Sequence, residues 1–275
     1  MRKASRTLAA AFMAAIVLAG CQNEEPMNKV KEGLPVSLSF NMEVPEMDEI
    51  TVTRATEEQE TKVEKMAILF YNANQPNSTP IIVKVRNLGE PTRRNSNTNW
   101  LYTIELNEDQ LTVGDRKVTS GEWYMYPIAN YDKYTVVNLD ELAGKTLAEF
   151  RSHTITASGR DITSTSVLMS GHYGDKENTT TITLQPGENT FDKVFHLKRI
   201  VSKNVFVLKS GTGVTFIPKK YSIYNYSTSS TLLQRDELNE YAGDDTFTKF
   251  EELPIAAPAA GGDYSFSFYM PENVQ

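Results

Sequence analysis

The chain has 275 residues, of which 40% are hydrophobic and 10% aromatic, a composition that folds rather than staying disordered. Its net charge of −7, from 35 acidic against 28 basic side chains, argues against nucleic acid as a partner. The single cysteine, Cys21, excludes an internal disulfide and any zinc site built on several thiolates.

Arg2, Lys3 and Arg6 precede an apolar or small run from Thr7 to Ala19, the layout of a signal peptide. That run is too short to span a bilayer, which takes about 20 apolar residues. Leu18-Ala19-Gly20-Cys21 resembles the bacterial lipobox, whose cysteine is acylated and becomes the new N-terminus. Residues 1–20 are therefore expected to be a lipoprotein signal peptide, with Cys21 holding the precursor to a membrane leaflet. Residues 21–35, polar and carrying Pro26 and Gly33, read as a flexible tether. Glu24 and Glu25 resemble the acidic export signal of surface-exposed Bacteroidetes lipoproteins, and a solvated linker explains them equally well.

Val36 to Val44 alternates apolar and polar without exception, which predicts a strand with Val36, Leu38, Phe40, Met42 and Val44 on a buried face. Pro35 and Pro45 bracket it and suit an edge position. Residues 45–62 lose the pattern and read as a polar loop. Lys65–Tyr71 is nearly all apolar, as in a strand covered on both faces. Further strands are expected at Ile81–Val85, Leu101–Leu106, Glu122–Ala129, Val167–Ser170, Thr179–Leu184, Val194–Leu208 and Val214–Asn225. Pro186-Gly187-Glu188-Asn189 reads as a turn. Only Leu139–Arg151 has helical spacing, interrupted at Gly144. The fold class is mainly β, and the length suggests two sandwiches in series.

Motifs for chemistry are sparse. His153, His172 and His196 have no second ligand at metal-binding spacing, and Asp109, Asp115 and Asp140 fit no calcium loop. Ser170-Gly171-His172 lacks the strand-elbow context of a nucleophile, so His172 is expected in a loop after a strand. Gly211-Thr212-Gly213 is a turn, not a phosphate cradle. No catalytic set, cofactor or metal is expected. Trp100 and Trp123 are the candidates for a sugar platform, the rival reading being a lipid-anchored glycan-binding protein.

The order of segments resembles the fimbrillins, subunits of the type V pili of Bacteroidales. Behind the lipobox and first strand come Thr53-Arg54-Ala55 and the run Lys62 to Asn72. Trp123 to Asn130, ending in an Ala-Asn pair, and Gly144-Lys145-Thr146-Leu147-Ala148-Glu149-Phe150 follow. Leu168-Met169-Ser170-Gly171, Leu197-Lys198-Arg199-Ile200-Val201 and Phe268-Tyr269-Met270-Pro271-Glu272-Asn273 complete the series.

The resemblance implies two transthyretin-like β-sandwiches, expected here over 36–193 and 194–275, the second incomplete. It implies a lipoprotein precursor carried to the outer membrane and cut by an arginine-specific protease in the loop after the first strand. It also implies other pilus subunits as partners, assembled by strand exchange for adhesion. Arg54, followed by Ala55 and set among small residues in the loop 45–62, fits an extended protease substrate; Lys62 and Lys65 are nearby rivals. Burying the five apolar side chains of strand 36–44 is worth roughly 8–15 kcal/mol before entropy, so its removal would open an assembly groove. In the family, more chain follows the segment that here ends at Gln275. A partial sequence, or a subunit that accepts a strand without donating one, is expected; a subunit left uncut would be an anchor.

Overall fold

The computed structural model describes residues 30–44, 62–93, 99–131, 137–156, 167–173, 181–223, 226–227, 229–233, 247–248, 253–258 and 262–271. Strand β1 (Val36–Val44) is followed by β2 (Met66–Asn72), β3 (Ile81–Lys84), β4 (Thr92–Arg93) and β5 (Trp100–Leu106). A small hairpin of β6 (Thr112–Val113) and β7 (Arg116–Lys117) leads to β8 (Gly121–Ala129). Two one-turn helices, α1 (Leu139–Ala143) and α2 (Leu147–Arg151), precede β9 (Thr154–Thr156) and β10 (Met169–Tyr173). Next come β11 (Ile182–Leu184), β12 (Gly187–Thr190), β13 (Phe195–Arg199) and β14 (Val201–Leu208). The last are β15 (Lys220–Tyr221), β16 (Tyr226–Ser227), β17 (Ser229–Thr231), β18 (Phe247–Thr248), β19 (Leu253–Pro254) and β20 (Tyr264–Pro271).

The chain is mainly β, as its alternation predicts. A curled sheet of ten strands runs β3-β2-β8-β10-β13-β1-β5-β4, with β11 paired to β8 and β12 to β1. Its inner surface encloses a first core, to which β1, β2, β5, β8 and β13 all contribute. β2 is apolar on both faces because it separates two cores. Met66, Ile68 and Phe70 enter the first, whereas Ala67, Leu69 and Tyr71 enter a second. α1 and α2 cover that second core with Leu139, Leu142, Leu147 and Phe150. Gly144 caps α1, and a capping box between Thr146 and Glu149 starts α2, so the expected single helix is two.

Five expectations need correction. β1 is not an edge strand, because it is paired on both sides. Pro35 lies just outside the ladder and costs it no donor, which is why a proline there is compatible with a central strand. Gly187–Thr190 is a strand, parallel to β1, although Gly187 keeps the left-handed φ of 87° that suits a turn. The expected strand Val194–Leu208 breaks at Ile200. Its first half pairs with β10 and β1, and its second half with β20. His172 sits within β10, buried, and not in a loop. Among the described residues of Val214–Asn225, Lys220–Tyr221 is strand, and Val214, Phe216 and Ile217 are exposed.

Candidate functional site

β1 and its surroundings form the candidate site. Val36, Leu38, Phe40, Met42 and Val44 all lie in the first core, nearly inaccessible to solvent. On one side β1 runs antiparallel to β5, from Leu38 opposite Leu106 to Val44 opposite Trp100. On the other it runs parallel to β12 through Ser39 and to β13 at Met42 and Glu43. The break between these two parallel stretches is bridged by Phe191, whose N–H donates to the Ser39 carbonyl at 3.1 Å. Backbone pairing on both flanks means that withdrawal of β1 would leave two open sheet edges.

The aromatic residues of the core concentrate around Phe40. Its ring centroid is 4.8 Å from Phe195 and 6.2 Å from Phe191, and Tyr173 packs 4.9 Å from Phe195. On the polar face, Glu43 is only 4% exposed. Its carboxylate accepts from Asn99 Nδ2 at 2.6 Å and lies 3.2 Å from His196 Nδ1. Asn41 accepts from the Thr103 hydroxyl at 3.0 Å on the same face.

The chain re-enters the described structure at Lys62, where Asn130 holds it. Asn130 is fully buried, and its φ of 60° is left-handed, a conformation asparagine tolerates better than most residues. Its side-chain amide donates to the carbonyls of Lys62 at 3.0 Å and Val167 at 2.9 Å. Its side-chain oxygen accepts from the Glu64 N–H at 2.9 Å, and its own N–H donates to Lys65 at 2.8 Å. The Val63 N–H donates to the Tyr102 hydroxyl at 3.1 Å, and burial pushes the Tyr102 phenol above its ordinary pKa. Residues 62–65 are thus tied to the sheet by the Tyr102 side chain of β5 and by Asn130, which follows β8.

Cys21, Arg54 and Ala55 lie outside the described residues, as do the signal peptide and most of the tether and the loop. The structure brings the five β1 residues together and ties down the two rival lysines, Lys62 and Lys65, through their carbonyls. Both tryptophans face the first core rather than solvent. Trp123 is 5% exposed, packs on Phe70 at 6.4 Å and donates to the Thr119 carbonyl at 2.7 Å. Trp100 packs partly buried against the same core, so the pair makes no sugar platform. Among the described residues no group of His, Cys, Asp and Glu is placed to hold a metal ion. No helix among them is long and apolar enough to cross a membrane.

Absent from the expectations are the restraining role of Asn130, the two partners of Glu43, and the Phe191/Phe195/Tyr173 cluster. Asn130 carried a usable signal, since an asparagine that closes a long strand is a common left-handed turn residue. The polar contacts of Glu43 carried none, because Asn99 and His196 are 56 and 153 positions away.

No family model and no curated protein sequence matches the chain. Solved structures do. A candidate cell adhesion protein from Parabacteroides distasonis superposes with a TM-score of 0.51 at 15% identity, over 88% of this chain and 71% of that one. A fimbrial assembly protein from the same species gives 0.48 at 15% identity, over 86% and 76%. The truncated tip fimbrial protein Mfa3 from Porphyromonas gingivalis gives 0.45 at 14% identity, over 86% and 69%. The chain thus has the mainly β fold of the Parabacteroides adhesion protein, the fold class expected from its likeness to the fimbrillins.

Proposed function

We propose that this protein is a structural subunit of a cell-surface pilus, made as a lipoprotein anchored to the outer membrane through Cys21. An arginine-specific protease cuts after Arg54, β1 leaves with its tether, and an extended segment of a neighbouring subunit takes its place. The pilus built in this way serves adhesion. The observation that carries the reading is the position of β1. It is the first element among the described residues, it lies inside the sheet with partners on both sides, and it fills the first core with five buried side chains. A segment so placed leaves a complete, shaped slot when its one covalent connection is cut. The ties from Asn130 to Lys62, Glu64 and Lys65 fix the far side of that cut, so the loss of β1 need not unravel β2. The neighbours' fimbrial and adhesion descriptions agree with this role.

The test uses precursor purified from its own cells and treated with an arginine-specific protease. One early cut with Ala55 as the new N-terminus, followed by ladders that resist mild heating on a gel, is the expected result. Arg54→Ala should stay intact and monomeric. A protein cut at Arg54 that remains monomeric sinks strand exchange, and a precursor refractory to the protease sinks the processing step.

A further inference from the structure

The slot that β1 fills carries two marks beyond its apolar floor. On the inner face, the Phe40 ring sits against Phe195 and edge-on to Phe191, with Tyr173 5.4 Å from Phe191 closing the cluster. On the outer face, each oxygen of Glu43 has its own donor, Oε1 from Asn99 Nδ2 and Oε2 from His196 Nδ1. Tyr173 in β10, Phe195 and His196 in β13, Phe191 just after β12 and Asn99 just before β5 are not part of β1 and remain when it departs.

Alternation alone leaves the register of an occupant unsettled. A slip of one residue turns every apolar side chain outward and is strongly disfavoured. A slip of two residues keeps all apolar side chains inward, so burial hardly opposes it. It does move the aromatic ring off the Phe191/Phe195/Tyr173 cluster and takes the carboxylate away from both donors.

We infer that the slot selects its occupant, and sets its register, by an aromatic residue at the Phe40 position and a carboxylate three residues later at the Glu43 position. The inference rests on the proposed replacement of β1 and adds the chemistry of what replaces it. β1, the occupant in this structure, runs parallel to β12 and β13 and antiparallel to β5, and an occupant in the same direction keeps the three-residue spacing of ring and carboxylate on the same partners. Glutamine at the carboxylate position has the right shape and the wrong pattern. Turned one way its NH2 faces the Asn99 amide donor, and turned the other it faces His196 Nδ1, which can accept only as the tautomer protonated on Nε2.

The experiment adds a fluorescent synthetic peptide of residues 35–45 to the full chain after its cut at Arg54, and follows capture by anisotropy. Capture of the natural peptide is expected. The Glu43→Gln peptide should bind about tenfold more weakly and the Phe40→Ala peptide about a hundredfold more weakly. On a His196→Ala chain the penalty for Glu43→Gln should shrink to about twofold. Because the first two changes lie in the peptide, folding of the chain is not at stake. Equal capture of all three peptides overturns the inference and leaves strand replacement standing. Failure to capture even the natural peptide overturns strand replacement itself, and the inference with it.

Discussion

Asn130 and Lys62 are 68 positions apart, yet the Asn130 side-chain amide holds the Lys62 carbonyl at 3.0 Å inside the protein. The same side chain takes the Glu64 N–H, so the segment after the candidate cleavage loop is held at two points by one residue. Replacing Asn130 by alanine leaves the Glu64 N–H, the Lys62 carbonyl and the buried Val167 carbonyl without their partner, and forces alanine into a left-handed backbone. Asn130→Ala should therefore lower stability by about 2–4 kcal/mol. Limited trypsin digestion gives the sharper readout. The native protein should resist cutting at Lys62 and Lys65, and the variant should be cut at both. An unchanged digestion pattern would show that Asn130 is not the restraint.

Gly171 separates space from conformation. A Cβ there would stand 2.5 Å from the His196 carbonyl oxygen and 2.9 Å from Leu197 Cδ2, so β10 and β13 would be pushed apart. Gly171→Ala is expected to cost about 1–3 kcal/mol by overpacking. Gly144 is the control, since a Cβ there meets only the Glu141 carbonyl at 3.7 Å and its φ is −89°. Gly144→Ala should be neutral or stabilising by up to about 1 kcal/mol. Urea unfolding of the pair checks both signs. A mild Gly171→Ala would mean that the two strands can separate cheaply.

These cases also mark what alternation makes legible. The span of β1 and its five inward residues follow from period two because one face of the strand is buried and the other is not. The two-sided burial of β2 is equally plain from its unbroken apolar run. Central or edge position is a different matter, since it depends on which distant strands pair with β1 and not on β1 itself. β12 was hidden for a related reason: Gly187 to Thr190 buries no apolar side chain, and its pairing rests on backbone bonds to Val36–Ser39. The carboxylate cluster of Glu43 could not be read at all, because its parts meet only through the register of β1 with β5 and β13.

His153 supplies a pH dependence. Burial holds its pKa below the ordinary 6.5, the charge of Lys145 lowers it further, and Glu141 opposes both. Its carbonyl accepts from the Leu232 N–H at 2.8 Å, so it stands where α2 meets the second core. A histidine kept neutral in the folded state contributes its full stability above 6.5, and that contribution is lost as pH falls through the folded value. Melting temperature should therefore drop between pH 7.5 and pH 5, with part of the drop absent in His153→Gln. A variant whose melting temperature falls as steeply as the native protein's would assign the effect to other groups.

Phe40 and Phe195 touch at a centroid distance of 4.8 Å, but the proposed strand replacement would give them different fates. Phe195 belongs to β13 and would stay in the assembled subunit, whereas Phe40 would leave with β1. Phe40→Ala should destabilise the uncut precursor by about 3–5 kcal/mol, the usual cost of emptying an aromatic site in a core. After cleavage and assembly, the heat resistance of its ladders should match that of the native protein, because the altered strand is no longer there. Phe195→Ala should weaken precursor and ladder alike. Melting curves before cutting, and gel ladders after it, measure the two states separately. Ladders of Phe40→Ala that fall apart at lower temperature than native ones would mean that β1 remains in place within the fibre, and replacement of the first strand would have to be abandoned.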